Sequence, residues 1–515
     1  MAARDRAHAC RTQEFLVMNR LRPEVLVTPL PAGKDRLDAP LSVVVVGGGL
    51  AGCAAAMVLA ERGAKVTLVE KEPFLGGRVG AWSDSLAGGE GFEMERGFHA
   101  FFRQYYNVRA MMRRLDPGLS MLTPLDDYPI LAPGTAQSFA NLPTITPFNI
   151  IALTRRSRAF SLRDLSRVNA RAALSMLTFN GERTYATADH RTAAEYLDSL
   201  RFPLKARQLL FDVFAHSFFN PENDMSAAEL LMMFHFYFTG NPEGLVFDVM
   251  RRPFSSGLWQ PFGRYLESRG VSVQTGNTVR EIVRLSEGFR VIVDGASLHA
   301  DRVVLGLSVA ALKALARRST TLDAPSFRSS VDDLAVTRPF AVLRLWLDRP
   351  AARGRPPFAG TTGHGLLDNI SLYHLFEDES RAWAERTGGS VVELHAYGVD
   401  PALDRNTIVA NLVNGLHAFY PELRDARTLH ERFLFRHDCP AFRPGSHQGR
   451  PTVQTSIPGL VVAGDFVKLP MPSALMERSV SSGMLAANHL LALSRVRSEP
   501  LRSVPRRGLL APIWN

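Results

Sequence analysis

Three glycines and one glutamate are spaced to hold the pyrophosphate and the adenosine ribose of a dinucleotide. Gly47, Gly49 and Gly52 follow GxGxxG spacing directly after a valine-rich run, and Glu70 stands about twenty residues further on. In such a motif the first glycine permits a tight turn, the second lets the backbone approach a pyrophosphate, and the third lets a helix pack on a strand. The glutamate accepts hydrogen bonds from both hydroxyls of an adenosine ribose. The spacing therefore predicts dinucleotide binding.

A glycine pair further along the chain delivers an arginine toward the same ligand. Gly76 and Gly77 favour a tight turn within EPFLGGRVGAWSD, and Arg78 follows them directly. A guanidinium is always charged and can form two parallel hydrogen bonds with a phosphate. We therefore expect Arg78 to contact the phosphates, and an ordinary arginine on a surface loop is the alternative interpretation.

The aromatic segment that contains MERGFHAFFRQYYN combines many rings with charged groups. It includes Glu95, His99 and Arg103, and Gly97 interrupts both the helical and the strand pattern. Buried segments rarely carry so many polar groups unless these line a cavity. The composition therefore favours a cavity wall, and a plain core segment is the alternative.

A second junction between a strand and a helix lies in the last sixty residues or so. Leu460–Ala463 favours a buried strand that ends in Gly464 and Asp465, and a long helix is expected from about Ser473. The N-terminus of a helix carries a partial positive charge, so it can face an electron-rich ligand.

The first motif requires a strand, a helix and a second strand in register. Val43–Val46 favours a buried parallel strand, Ala54–Glu61 a helix that Gly63 ends, and Lys65–Val69 the second strand. A membrane span over the uncharged stretch Leu41–Ala60 is the alternative, but its glycines and alanines argue against it. A cleaved signal peptide is also disfavoured, because the preceding segment is long and carries acidic side chains.

The middle of the chain loses this pattern. Leu162–Met176, Thr192–Ala215 and Ser226–Phe238 favour helices rich in Phe, Leu and Met, which suit either a plain core or the wall of an apolar tunnel. The stretch TGNTVREIVRLSEGFRVIVDGASLHADRVVLGL favours several short strands. Phe340–Leu347 and Val391–Tyr397 favour further strands in a sheet of the substrate domain.

Composition narrows the class of protein. The chain has 515 residues, and its net charge of +10 fits an anionic membrane surface or simply an arginine-rich composition. It carries no recognisable nucleic-acid module, so we expect no nucleic-acid partner. Cys10, Cys53 and Cys439 form no CxxC pair, which predicts neither a disulfide framework nor a metal site and favours the cytoplasm.

These patterns divide the chain into a discontinuous dinucleotide domain, an inserted substrate domain and two terminal segments. The basic C-terminal tail is expected to be disordered or a surface strap, and we assign the N-terminal extension no chemistry. The expected ranges are 1–40 for the extension, 41–120, 255–320 and 450–495 for the dinucleotide domain, 121–254 and 321–449 for the substrate domain, and 496–515 for the tail.

The motifs together resemble the flavin-dependent amine oxidase and phytoene desaturase superfamily over nearly the whole chain. The resemblance rests on the glycine motif with Glu70, the GGR ending at Arg78, TGNTV ending at Val279, and the GD of Asp465. It implies an α/β fold with a Rossmann-like FAD-binding domain of the glutathione reductase and amine oxidase type and an inserted α+β substrate-binding domain. It implies these FAD-binding candidates: Gly47, Gly49, Ala51, Gly52, Glu70, Lys71, Gly77, Arg78, Gly97, Phe98, His99, Val279, Gly464, Asp465 and Met476.

Within that superfamily, MERGFHAFFRQYYN and AGDFVKLPMPSALMERSVSSGMLAANHL are most similar to the carotenoid branch, specifically the isorenieratene synthase type. Glu95 stands where the family often has Asp, two residues before Gly97. The resemblance implies an FAD-dependent oxidoreductase, an apolar polyene or isoprenoid substrate, and loose contact with a membrane, such as the inner face of the cell membrane. The electron acceptor does not follow from the residues.

The chemistry that the resemblance implies is aromatisation of a β-ionone ring. This needs two dehydrogenations and, where a quaternary carbon blocks the ring, a 1,2-methyl shift toward the allylic cation that hydride loss leaves. The protein must position the ring, exclude water, stabilise the cation with aromatic faces and supply a base.

We expect the base or proton relay to be His99 or Glu477, with Glu95 and Tyr106 behind them, and purely structural roles for these residues are the alternative. The aromatic faces, and with Tyr106 the candidate substrate contacts, are Phe98, Phe101, Phe102 and Tyr105.

Three other functions remain open at this point. A soluble FAD amine or amino-acid oxidase shares the cofactor motifs, and it would release hydrogen peroxide from amines. A redox-neutral, flavin-dependent polyene isomerase would need reduced flavin without consuming an acceptor. A prenyl-binding escort protein shares the architecture without flavin chemistry, but the intact glycine motif with Glu70, Arg78 and Asp465 argues against it.

Overall fold

The computed structural model describes residues 25–28, 32–86, 88–144, 148–156, 168–203, 207, 218–508 and 511. Most of the expected N-terminal extension and the end of the basic tail lie outside these residues. The same holds for the first part of the expected helix over Leu162–Met176 and for most of the second half of Thr192–Ala215.

The strands of the described chain are numbered in chain order. They are β1 (Leu26–Val27), β2 (Ser42–Val46), β3 (Lys65–Val69), β4 (Ala81–Ser85), β5 (Gly91–Glu95), β6 (Phe101–Phe102), β7 (Leu122–Leu125), β8 (Ile130–Ala132), β9 (Thr135–Gln137), β10 (Phe247–Met250), β11 (Ser272–Gln274), β12 (Val279–Arg284), β13 (Phe289–Val293), β14 (Ala296–Ala300), β15 (Arg302–Leu305), β16 (Phe340–Leu347), β17 (Phe358–Thr361), β18 (Asn369–Leu372), β19 (Ser390–Ala396), β20 (Thr428–Arg436), β21 (Leu460–Val462) and β22 (Arg502–Ser503).

The α-helices of the same residues are numbered likewise. They are α1 (Leu50–Glu61), α2 (Tyr106–Met112), α3 (Phe148–Arg156), α4 (Ala170–Leu174), α5 (Gly181–Ala188), α6 (Ala193–Leu200), α7 (Ala227–Phe234), α8 (Gln260–Ser268), α9 (Val309–Arg318), α10 (Pro325–Asp332), α11 (Asp378–Thr387), α12 (Arg405–Phe419) and α13 (Leu475–Ala492). α7 continues as a π-helix over His235–Thr239, and a second π-helix, Ser255–Trp259, leads into α8.

A five-stranded parallel sheet carries the glycine motif. Its order is β11-β3-β2-β15-β21, and the predicted strands of the first motif are confirmed to within one residue. The four valines of β2 are buried, as expected of a strand with both faces covered. Because the strands are parallel, β2, β15 and β21 present their carboxyl ends at one edge of the sheet, where open α/β sheets bind ligands.

A second, seven-stranded sheet forms the other half of the molecule in the order β20-β16-β19-β18-β17-β8-β9. The strands predicted at Phe340–Leu347 and Val391–Tyr397 are confirmed as β16 and β19, although β19 ends at Ala396. Its central strands are antiparallel and wholly buried. They can therefore hold side chains rigidly in the interior.

The last helix joins the parallel sheet by close packing on the first helix. A Cβ on Gly483 of α13 would lie 2.1 Å from the carbonyl oxygen of Ala51 in α1, so the two backbones touch. α13 begins at Leu475, two residues later than expected. Within the described residues, no helix combines the length and the apolar character needed to cross a membrane.

Two features of the structure bear on the expectations from the sequence: the extent of one helix and the conformation of the C-terminal segment. The prediction of one helix from Thr192 to Ala215 is wrong in its extent, because α6 ends at Leu200 and Arg201 adopts a left-handed conformation (φ 55°) before Pro203. The C-terminal segment is a packed strap through Gly508: β22 pairs with β1, and the flanking Leu501 and Val504 are buried.

Candidate active site

One continuous cavity of about 490 Å³ runs from the carboxyl edge of the parallel sheet to the antiparallel sheet. Most of the expected site residues line it. These are Gly47, Gly49, Ala51, Glu70, Lys71, Gly77, Arg78, Phe98, His99, Phe102, Tyr105, Val279, Gly464, Asp465 and Met476. The structure therefore brings together residues from distant parts of the chain, as the sequence motifs require.

The glycines of the first motif shape the floor of the cavity. Gly47 has φ +103°, and a Cβ there would lie 2.4 Å from the carbonyl oxygen of Gly306. A Cβ on Gly52 would lie 1.9 Å from the carbonyl oxygen of Gly47, so α1 packs directly on the turn after β2. At Gly49 a Cβ would meet only the Cα of Gly77, at 3.9 Å. Gly49 therefore leaves open backbone for a ligand to approach.

Glu70 lies at the end of β3 with its carboxylate in place for a diol. Oε2 accepts the backbone N–H of Gly48 at 2.6 Å, and Oε1 accepts that of Glu72 at 2.9 Å. A carboxylate has roughly four lone-pair positions, so two remain for hydroxyl donors. The side chain is buried and lines the cavity, which suits recognition of a ribose.

The GGR arginine and the terminal aspartate meet across the cavity. An Arg78 nitrogen donates to Asp465 Oδ1 at 2.5 Å, although 387 residues separate the two in sequence. Beside them, Leu475 opens α13 with φ +48°, and Ala474 provides no capping side chain. Leu475, Met476 and Ser479 line the cavity, so the positive end of α13 faces it. This donor set fits a dinucleotide that carries a flavin.

The far end of the cavity is aromatic. Phe98 stacks on Phe358 with ring centroids 4.5 Å apart, and Phe102 meets Tyr237 edge-on at 4.9 Å. Further rings line the cavity, namely Tyr105, Tyr128, Phe218, Phe219, Phe247, Phe340 and Phe442. The Tyr105 and Tyr237 hydroxyls are 2.6 Å apart, which pairs two polar atoms within an otherwise apolar wall. This end suits a flat, apolar group.

Some expected site residues lie behind the wall of the cavity. Phe101 stacks on Phe254, and Gly52 packs on the turn at Gly47. Tyr106 opens α2 and its hydroxyl reaches Glu243 at 3.5 Å. Gly52, Gly97, Phe101, Tyr106 and Glu477, all within the described chain, are not lining residues.

Glu477 holds a helix rather than facing the cavity. Its Oε1 accepts the backbone N–H and the side-chain Nδ2 of Asn107, and its Oε2 accepts the N–H of Val108. These are amides of the first turn of α2, so the carboxylate caps that helix from α13. Burial raises the pKa of Glu477 to about 8, against the lowering effect of these three donors.

Gly97 belongs to the wall behind the aromatic end. It has φ +114°, and a Cβ there would lie 2.8 Å from Cε1 of His395. The next residue, Phe98, donates its N–H to Glu393 Oε1 at 2.8 Å. The turn at Gly97 thus lets the aromatic segment sit directly on a histidine and a carboxylate of β19.

His99 projects into the cavity as a neutral imidazole. Its Nδ1 lies 2.7 Å from the carbonyl oxygen of Gly97, so Nδ1 carries the hydrogen and Nε2 is bare. Burial lowers the pKa of His99 to about 4, although the bond to Gly97 opposes this. His99 is therefore a weak base near neutral pH.

Sequence reasoning missed a polar row on β19. Glu393, His395 and Tyr397 alternate along VVELHAY, and His395 and Tyr397 line the cavity. Period-two spacing places the three on one face of the strand. The alternation of polar residues in an otherwise apolar buried strand was the signal that could have found them.

One guanidinium lies close to two buried carboxylates behind this wall. Arg344 on β16 pairs with Glu393 Oε2 at 2.8 Å and approaches Glu95 Oε2 at 3.6 Å. Burial alone would raise the pKa of Glu393, but Arg344 and the hydrogen bond to His395 outweigh it and lower the value to about 2. Burial raises the pKa of Glu95 to about 8, because Arg344 only partly offsets it.

Comparisons with known proteins agree with this geometry. The sequence profile of the family described as flavin containing amine oxidoreductase matches residues 50–491. The chain is 46% identical over 489 residues to a carotenoid phi-ring synthase of Streptomyces griseus, covering 94% of each chain. It is 29% identical, over an alignment of 605 positions, to a carotenoid phi-ring synthase of Chlorobaculum tepidum, and the match covers 93% of this chain and 92% of the other.

A solved structure of wild-type putrescine oxidase bound to putrescine superposes with a TM-score of 0.66. The match covers 88% of this chain and 99% of that one at 14% sequence identity. At that identity the likeness shows the fold, which is that of this oxidase.

Glu70→Ala should weaken cofactor binding at the ribose end. Removing a hydrogen-bonded carboxylate should raise the dissociation constant of FAD at least about tenfold, since bonds to charged groups contribute about 1.5–3 kcal/mol. Titration of apoprotein with FAD, followed by flavin fluorescence, measures the change. Glu267→Ala removes an exposed carboxylate of α8 and should leave the constant unchanged. Equal constants for Glu70→Ala and wild type would contradict the assignment.

Proposed function

Because the chain belongs to the flavin containing amine oxidoreductase family and is an FAD-dependent oxidoreductase, we propose that it dehydrogenates the end ring of a carotenoid to an aromatic ring. Two relatives that match almost their full length are named carotenoid phi-ring synthases, which favours a carotenoid ring as substrate. The sharper form of the proposal is a β-ionone ring whose quaternary carbon loses a methyl group to its neighbour.

The aromatic end of the cavity carries this proposal. It is continuous with the cofactor end, so a ring held there can reach the flavin. This space is lined by the rings of Phe98, Phe102 and Tyr237, which can contact a bound substrate. Aromatic faces attract a cation, whereas a purely aliphatic wall would disfavour one.

FAD supplies an acceptor for the hydride that leaves the substrate ring. The residues of the chain do the remaining work. The aromatic wall orients the ring and excludes water, and its faces stabilise the allylic cation that remains after hydride loss. A methyl group then migrates to the cationic carbon, the positive charge moves to the former quaternary carbon, and loss of a ring proton restores neutrality. No methyl donor takes part.

The reaction product tests the proposal. We expect FAD-loaded protein with β-carotene in detergent micelles and an added acceptor to give a pigment that keeps every carbon and has lost the hydrogens of two dehydrogenations per ring. Chromatography with mass analysis identifies it, and nuclear magnetic resonance locates the moved methyl groups.

Other products would point elsewhere. A pigment of unchanged mass but altered geometry would replace this proposal with the isomerase. Hydrogen peroxide from amines, with carotenes left intact, would replace it with an amine or amino-acid oxidase.

We also propose that α3 touches a membrane, from which an apolar substrate would enter. Phe148 and Ile151 on this helix are 45% and 48% exposed, and Arg155 and Arg156 follow them. Apolar side chains beside basic ones suit an anionic lipid surface. Asn149 donates to the carbonyl oxygen of Phe238, whose neighbour Tyr237 lines the cavity, so α3 lies near the aromatic end.

Flotation with anionic liposomes tests this contact. Wild type should float, and the Phe148→Ser/Ile151→Ser double variant should float several-fold less, because its apolar contact is lost. Leu493→Ser changes an exposed leucine at the end of α13 and serves as the matched control. Wild-type protein that stays at the bottom of the gradient would contradict the proposal.

A further inference from the structure

The polar row on β19 leads from the protein interior to the cavity. Glu393 and His395 are 0% and 2% exposed, whereas Tyr397, just beyond the strand, is half-buried at the cavity surface. The register of the sheet places a polar residue of each neighbouring strand beside this row. Arg344 of β16 stands directly opposite Glu393, and Asn369 of β18 stands directly opposite His395.

The hydrogen bonds of the row point in one direction. Asn369 Nδ2 donates to the Tyr397 hydroxyl oxygen at 3.0 Å, so the hydroxyl hydrogen is free to point to His395 Nδ1, 2.7 Å away. His395 Nε2 lies 2.8 Å from Glu393 Oε1, which accepts its hydrogen. In this arrangement His395 Nδ1 accepts the hydrogen of the tyrosine and Nε2 donates to Glu393.

The far end of the row is held as an anion. Besides His395, Arg344 Nε donates to Glu393 Oε2 and the N–H of Phe98 donates to Oε1, each at 2.8 Å. An anion fixed beside Nε2 orients the imidazole and stabilises the imidazolium that forms if Nδ1 takes a proton. Three groups in this order make a proton acceptor that opens into the cavity through a hydroxyl.

We propose that Tyr397, backed by His395 and Glu393, accepts the ring proton that is lost after methyl migration. This inference rests on the proposed function and names the base that it needs. Tyr397 is the group that meets the substrate, whereas His395 and Glu393 are positioning residues that make its oxygen basic.

The step balances without a further reactant. The C–H bond of the cationic ring breaks, and its electron pair forms the last ring double bond. The proton goes to the Tyr397 oxygen as the hydroxyl proton moves to His395 Nδ1, and Glu393 balances the charge of the imidazolium. Burial raises the pKa of the Tyr397 phenol, which disfavours a free phenolate and requires the two transfers to be coupled.

The other candidate bases lack this arrangement. His99 has Nδ1 committed to the Gly97 carbonyl oxygen, so a peptide carbonyl and not a carboxylate orients its ring. Glu477 accepts three N–H groups and does not line the cavity.

The direction of the row can be measured without substrate. In the FAD-loaded protein labelled with ¹⁵N-histidine, the resonances that vanish in His395→Gln identify His395. The proposal predicts a neutral ring with hydrogen on Nε2, and a shift of the bare Nδ1 signal in Tyr397→Phe. Hydrogen on Nδ1, or on both nitrogens at neutral pH, would overturn it, because His395 could not then accept the tyrosine proton.

Kinetics provide the second test. Tyr397→Phe removes one hydroxyl and keeps the ring against Phe219, whose centroid is 4.6 Å away. We expect kcat for the aromatic product to fall about 100-fold or more, with KM and the FAD dissociation constant unchanged. The wild-type solvent isotope effect should vanish in this variant, because no exchangeable hydroxyl proton moves. A structural role for Tyr397 would not move that effect.

A matched control variant and the activity of the wild type distinguish failure of the proton relay from failure of the proposed function. Tyr265→Phe removes a hydroxyl that donates to Glu61 outside the cavity, and kcat should stay the same. Tyr397→Phe with wild-type kcat and isotope effect would overturn the relay. Wild type that aromatises no carotene would overturn the proposed function instead, while the histidine resonances would still decide the direction of the row.

Discussion

A buried arginine of the antiparallel sheet holds the end of the two-stranded sheet β4-β5 against that sheet. Arg344 pairs with Glu393 at 2.8 Å, approaches Glu95 at 3.6 Å, and lies over the ring of Tyr373 at 4.0 Å. Removing one partner of such a pair costs about 3–5 kcal/mol, because the other charge stays buried. Arg344 can neutralise one carboxylate, so Glu393 is the anion and Glu95 the acid. The N–H of Phe98, a residue of the aromatic wall, donates to the Glu393 anion at 2.8 Å.

The cavity offers different groups at its two ends. At the parallel sheet it offers backbone amides, Glu70 and the ion pair of Arg78 with Asp465, which suit a charged dinucleotide. At the antiparallel sheet it offers aromatic rings and one polar row. Under the proposed function, these charged groups meet the cofactor, and the ring of the substrate meets few groups that could trap or quench a cation. One fold thereby serves both needs.

The strands and the helix of the glycine motif could be predicted from the sequence, because local physics decides them. Strand, glycines and helix are neighbours in the chain, so β2, α1 and Glu70 could be read from spacing alone. The polar row could not be predicted from local spacing, because it depends on the register of β16, β18 and β19. Pairing between distant parts of the chain sets that register. Glu477 looked available for catalysis because nothing local showed that α2 would present its first amides to it.

If the aromatic end holds a carotenoid ring against the flavin, a cyclic carotene should reduce the flavin. Anaerobic mixing of FAD-loaded protein with β-carotene, compared with an acyclic carotene, measures this. We expect loss of the oxidised-flavin absorbance with the cyclic carotene and little with the acyclic one. A flavin that stays bound and reducible by dithionite, yet keeps its absorbance with both carotenes, would contradict it.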